Sequence, residues 1–170
     1  MEDLLLPAFP HGAFKREHQI NNACLGADLL GDAKKFARAD FLFPYTLRHD
    51  TCVMLEVDEH GHEDYIVKCE TARMYNQVET LRAEGNTQKF VFVRYNPHAF
   101  KVDGVTLRTG REERHAELLR VLRSIADGPA DVPDVRVIYL FYDRDAAGRP
   151  DVLDDPDYDE TVASWWCMNV

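Results

Sequence analysis

Cysteine is sparse in this chain: Cys24, Cys52, Cys69 and Cys167 are scattered over 170 residues with no CxxC pair. That scatter excludes a dense disulfide framework and fits reduced thiols. Long apolar runs are missing too, since nothing approaches the ~20 residues of a membrane-spanning helix. The opening LLLPAF follows two acids rather than a basic segment, which does not match a secretory signal. An intracellular protein, cytoplasmic or nuclear and without a membrane partner, is the expectation. Basic excess is the third absence: 20 Lys and Arg stand against 30 Asp and Glu, a net charge of -10. Because neutralised phosphates supply most nonspecific affinity for DNA, this balance works against a nucleic-acid partner. The acid is unevenly placed, however. Asp143, Asp145, Asp151, Asp154, Asp155, Asp157, Asp159 and Glu160 crowd one late segment, whereas Lys34, Lys35, Arg38, Arg108, Arg111, Arg114, Arg120 and Arg123 lie earlier. The local field decides binding more than the sum does.

What is present suits one globular domain, 45% hydrophobic and long enough to bury its own core. Residues 1–35 read as an N-terminal helical segment, 36–142 as the core and 143–170 as an acidic C-terminal segment. Within 14–37, Ile20, Cys24, Leu25, Leu29 and Leu30 fall roughly at helical spacing, with Gly26 and Gly31 as breaks. DFLFPY and CVMLEVD are short apolar runs separated by a polar stretch, the pattern of two strands joined by a hairpin turn. Met74, Val78 and Leu81 recur at helical spacing over 65–83, and KFVFVRY follows as a third strand. A stripe of Leu118, Leu119, Leu122 and Ile125 marks a helix over 111–126, before a fourth strand at VRVIYLFY. The fold class expected is α/β, a mixed central sheet flanked by helices.

Against that frame, three carboxylates attract attention. Residues two apart on a strand share a face, so Glu56 and Asp58 project together, and Asp40 lies on the neighbouring strand. Converging carboxylates suit a hard divalent cation, Mg2+ or Mn2+, with the backbone carbonyl of Val57 and water completing its shell. Such an ion can activate a water and stabilise a leaving oxygen, which points to metal-dependent phosphodiester hydrolysis. The alternative is that Glu56 and Asp58 form the solvated face of a half-buried strand. His62 follows four residues after Asp58, within reach of a coordinated phosphate as acid or base. Glu70 and Arg73 share a helix face, so Arg73 either holds phosphate or pairs with Glu70.

The ordered set RADF, LEVDEHGH, CETARM and FVFVRYNP resembles the PD-(D/E)XK restriction-endonuclease-like superfamily, over about residues 36–100 and more loosely to YLFYD at 139–143. The branch it resembles is that of the very-short-patch repair endonucleases and their uncharacterised relatives. This resemblance implies a restriction-endonuclease-like core and a Mg2+-dependent endodeoxyribonuclease. Asp40 would be the bridging metal ligand and Glu56 the second carboxylate. Asp58 stands where the superfamily more often has lysine, which puts activity in question. His62, Glu70 and Arg73 match the histidine and helix motif of the related branch, and Glu17 stands where members often place an acid near the metal. His98 occupies the place of an aspartate after the Asn-Pro step. Arg73 and Arg94 would grip the strand being cut, with Arg94 also able to close the edge of the site. One such site cuts one strand, so a double-strand break requires a homodimer or two successive nicks.

Three other readings stand beside this one. Cys52, His60, His62 and Cys69 lie in one short span, but their irregular spacing argues against zinc. Trp165 and Trp166 either stack on bases or plug the end of a core. A catalytically inactive restriction-like module that binds nucleic acid or protein, its acidic segment meeting a basic partner, is the alternative to an enzyme.

Overall fold

A computed structural model describes residues 1–21, 36–62, 66–85, 89–128, 134–158 and 166–169. Helix α1 (Glu2–Leu5) precedes strands β1 (Lys15–Asn21), β2 (Phe36–Arg48) and β3 (Thr51–Val57). A 3-10 turn (Glu59–His62) leads to α2 (Val67–Ala83) and β4 (Lys89–Tyr95). A small hairpin, β5 (Phe100–Val102) with β6 (Val105–Leu107), comes before α3 (Arg111–Asp127), β7 (Val135–Leu140), a second 3-10 turn (Asp151–Asp154) and β8 (Trp166–Asn169). Among the described residues the main sheet has six strands in the order β1-β2-β3-β4-β7-β8. Its first half is an antiparallel meander, and β3, β4, β7 and β8 run parallel. The expected mixed sheet flanked by helices is therefore observed. Among the described residues, no helix is long and apolar enough to cross a membrane.

Two helices cover opposite faces of the sheet. Met74, Val78 and Leu81 of α2 pack with Leu42, Met54, Phe90, Phe92, Val137 and Tyr139. On the other face, Leu118, Val121, Leu122 and Ile125 of α3 pack with Phe41, Val53, Leu55, Val91, Val93 and Ile138. Strands covered on both faces read as continuous apolar runs, and β3 and β4 are buried along almost their whole length. The β2–β3 hairpin holds with a register shift between Pro44 and Arg48, and Tyr45 there has φ 61. A bulge is where a sheet tolerates proline, which has no N–H for the ladder.

The first segment departs from its helical reading. Lys15–Asn21 is an edge strand, antiparallel to β2, while 22–35 lie outside the described residues. Ile20 sits at helical spacing from Cys24, yet over 17–20 exposure alternates: Glu17 and Gln19 face out, and His18 and Ile20 turn inward. Local periodicity yielded to pairing with a long partner strand, as β preference commonly does. Charged residues such as Lys15, Arg16 and Glu17 suit an edge because they discourage further strand addition. Segments 1–35 and 143–170, expected to flank the core, each supply a strand to the sheet. The β5–β6 hairpin was also unanticipated. Its Asp103–Gly104 turn has positive φ at both residues (51 and 75), the conformation that makes Asp-Gly a hairpin turn.

Candidate active site at the carboxyl edge of the parallel strands

Val57, Tyr95 and Leu140 are register partners, so β3, β4 and β7 end level. Ligands of open α/β sheets bind beyond such carboxyl ends. Just beyond these ends Asp58, Asn96 and, two positions after Leu140, Tyr142 are all buried. Glu56 and Asp58 extend the face carrying Cys52 and Met54, as alternation requires, and are 3% and 1% exposed. Neither is a solvated strand face. Arg94 is the register partner of Glu56 and extends the Phe90 and Phe92 face, so it enters the same layer beneath α2.

The two acids have different partners. Asp58 accepts hydrogen bonds from Arg94 Nε and from the Tyr142 hydroxyl. Arg94 continues to Glu70 at 2.7 Å, and Glu70 lies 3.1 Å from Arg73. Burial works against the Arg94 charge, but Asp58, Tyr142 and Glu70 outweigh it and hold the guanidinium protonated well above the usual range. Burial, reinforced by Asp58, likewise raises the Tyr142 phenol. Among the described residues, Glu56 has one ion pair, a loose one at 3.7 Å to Arg73, and its Oε1 is buried with no hydrogen-bond partner. Burial pushes its carboxyl up to about 7 despite Arg73 and Arg94, with Asp40 and Asp58 adding to the rise. Asp40 is also raised, first by burial and then by Glu17 and Asp58, although the Val57 N–H donates to its Oδ2 at 2.8 Å.

Tyr142 reaches Asp58 through an unusual backbone. Phe141 has φ 63, a left-handed conformation rare for a bulky side chain. Asn96 pins it, donating from Nδ2 to the Phe141 carbonyl at 2.9 Å. Arg114 buttresses the opposite face, 4.7 Å from the Phe141 ring centroid, and donates to the Asn96 carbonyl. On the loop, His60 and His98 stack with centroids 3.9 Å apart, and the His60 N–H donates to His98 Nδ1. Beside them opens a cavity of about 610 Å3, lined by His60, Tyr142, Asp143, Asp151, Asp154 and Asp157 among others.

The structure thus sorts the expected residues. Asp40, Glu56, Glu70 and Arg73 come together around one end of α2. Asp58 joins them spatially, with its Oδ2 engaged by Arg94 and Tyr142. Among the described residues, no group of three or more His, Cys, Asp and Glu is arranged to hold a metal. Val57 contributes its N–H to Asp40. Arg94 is 3% exposed and locked between acids, which suits closing the site and not gripping substrate. Arg73 keeps 29% of its side chain exposed. Glu17 lies on β1, exposed, with φ 49 and an ion pair to Arg38 at 3.3 Å, yet its charge is felt at Asp40. His62 ends the 3-10 turn, and its side chain lies outside the described residues. So do Trp165 and the Trp166 side chain, although Trp166 opens β8. Cys52 is buried within β3, and burial pushes its thiol up to about 12.

No family model matches the sequence, and no curated protein or solved structure matches it either. Tyr142, Asn96 and Gln77, a buried polar residue of α2, are the site-side residues that sequence reading missed. Only Tyr142 had a signal, in the YD that closes the last apolar run.

Proposed function

We propose that the protein is a Mg2+-dependent endonuclease that hydrolyses DNA phosphodiester bonds, with the cation held by Asp40 and Glu56. Glu56 carries this reading: a 3% exposed carboxylate at the carboxyl end of a parallel strand, whose Oε1 has no hydrogen-bond partner among the described residues. Buried acids are ordinarily paired, because an ionised carboxylate loses its hydration on burial. Among the described residues, four acids, Asp40, Glu56, Asp58 and Glu70, cluster with two guanidiniums, Arg73 and Arg94, a surplus of negative charge around Glu56. A divalent cation answers that surplus, and Mg2+ commonly takes one or two carboxylates, keeping water for its other positions. Asp58 belongs with the brace in this reading, its Oδ2 accepting from both Arg94 and Tyr142.

When bound, the cation supplies Lewis-acid chemistry at the phosphate. The chain's own residues do the rest. Asp58, Arg94, Glu70 and Tyr142 form a buried brace that fixes the strand ends and orients Arg73. Arg73 is the partly exposed guanidinium of the group and exchanges its loose contact with Glu56 for a phosphate oxygen of the substrate. His62, placed by sequence four residues beyond Asp58, takes the proton of the attacking water as the P–O bond to the leaving group breaks. Nicking of supercoiled plasmid with Mg2+ or Mn2+ tests the reading. Asp40→Ala and Glu56→Ala are each expected to lose more than the ~10–100-fold typical of disturbing only an outer-sphere partner of a metal. Wild type that leaves plasmid intact with both metals, or variants that nick as wild type does, would refute it.

One observation favours the second reading, an inactive restriction-like module. Among the described residues, the large cavity beside Tyr142 is walled by Asp143, Asp151, Asp154, Asp155 and Asp157 with no Lys or Arg in its lining, although Lys101 pairs with Asp143 and Arg149 with Asp154 from outside it. Such a wall repels phosphate and attracts basic groups. Tight binding of a polybasic peptide without any nicking would select this reading.

A further inference from the structure

Gln77 on α2 is 1% exposed, and among the described residues neither its amide nitrogen nor its carbonyl oxygen has a hydrogen-bond partner. It lies one helical turn beyond Arg73, on the face that also carries Glu70, so the two side chains are neighbours. The Arg73 Nε is likewise buried and unpartnered, while its Nη2 lies 3.7 Å from Glu56. With Glu56 Oε1, four such atoms are carried by the end of β3 and by one side of α2, linked by the Arg73–Glu56 contact and the one-turn spacing of Arg73 and Gln77. Buried polar atoms have a partner in about nine cases of ten, so four in one patch point to something bound there. The chemistry is mixed: the Arg73 and Gln77 nitrogens donate, and the Gln77 and Glu56 oxygens accept. Water matches this set, whereas phosphate does not match an acid.

We propose that Gln77 is a positioning residue of the cation site, holding with Arg73 Nε the ordered water that connects to Glu56. The inference rests on the cation reading for Asp40 and Glu56. Through that water Gln77 orients Glu56 toward the ion, as outer-sphere partners orient metal-binding carboxylates generally.

Mn2+ binding by the full chain, followed by the loss of the free-ion paramagnetic resonance signal, tests it together with thermal melting of the metal-free protein. Gln77→Met keeps the length and removes the polar atoms. It is expected to weaken Mn2+ binding about 10-fold or more. Gln77→Glu, which retains an acceptor, should bind close to wild type. A merely structural carboxamide predicts the opposite: Gln77→Met melts higher, because an orphaned polar group has gone, and binds Mn2+ as wild type does. That result overturns the proposal. If Gln77→Met does not fold, Gln77→Asn decides, since the shortened amide should bind Mn2+ more weakly and equal binding overturns the proposal. Wild type that binds no Mn2+, or Glu56→Gln that binds as well as wild type, instead refutes the underlying cation site.

Discussion

Glu56 and Asp58 stand two residues apart on one face at the end of β3, almost equally buried, and their surroundings could hardly differ more. Asp58 has an arginine and a phenol directed at it. Glu56 has a distant guanidinium and an oxygen with no partner. The cross-strand neighbour of Glu56 is Arg94, yet the Arg94 head group passes it and goes to Asp58 and Glu70. Sharing a face therefore does not mean sharing a role. One acid completes a structural brace, and the other is left with capacity for a ligand.

Breaking the brace should have the largest effect. Arg94→Leu strands Asp58 as an uncompensated buried charge, and removing one member of a buried pair costs about 3–5 kcal/mol. Chemical denaturation of the variant measures this. A loss near that of a surface ion pair, below about 1 kcal/mol, would show that Asp58 does not depend on Arg94.

The Glu56 side of the comparison is sharpened by pH. Its folded carboxyl lies at about 7, above the 4.5 of an unfolded glutamate. The folded state thus holds the proton more tightly, and stability falls as pH rises from about 4.5 through 7. The full loss, up to about 3 kcal/mol, is present above pH 7 and absent below the unfolded value. Metal-free Glu56→Gln should lack this decline. Denaturation midpoints taken with chelator between pH 5 and 8 test it, and parallel profiles for wild type and variant would show that Glu56 is compensated after all.

Tyr142→Phe makes the smallest change. It removes one hydrogen bond to a carboxylate and leaves Arg94 in place, an expected cost of about 1.5–3 kcal/mol. Unchanged stability would show that Arg94 alone satisfies Asp58.

The central strands and the two covering helices were legible because apolar spacing reports burial directly. CVMLEV and KFVFVRY became the two central strands, and Met74, Val78 and Leu81 the covering face of α2. Asp103-Gly104 was a legible hairpin turn that went unread. Lys15–Asn21 was not legible as a strand, because an edge strand has one paired side and few buried positions. Within the site, two-residue spacing correctly put Glu56 and Asp58 together. It could not show that Arg94, 36 positions after Asp58, or Tyr142, 84 positions after it, would reach only one of them.

The sequence by itself determined that carboxylates meet beneath a helix at the end of a buried strand, since alternation and hydrophobic period are local properties. Which carboxylate stays open was decided by tertiary structure alone. Parallel pairing of β3, β4 and β7 brings Arg94 and the backbone turn at Phe141 to the same edge. There the balance of desolvation and pairing is settled by distances of a few ångströms between residues far apart in the chain.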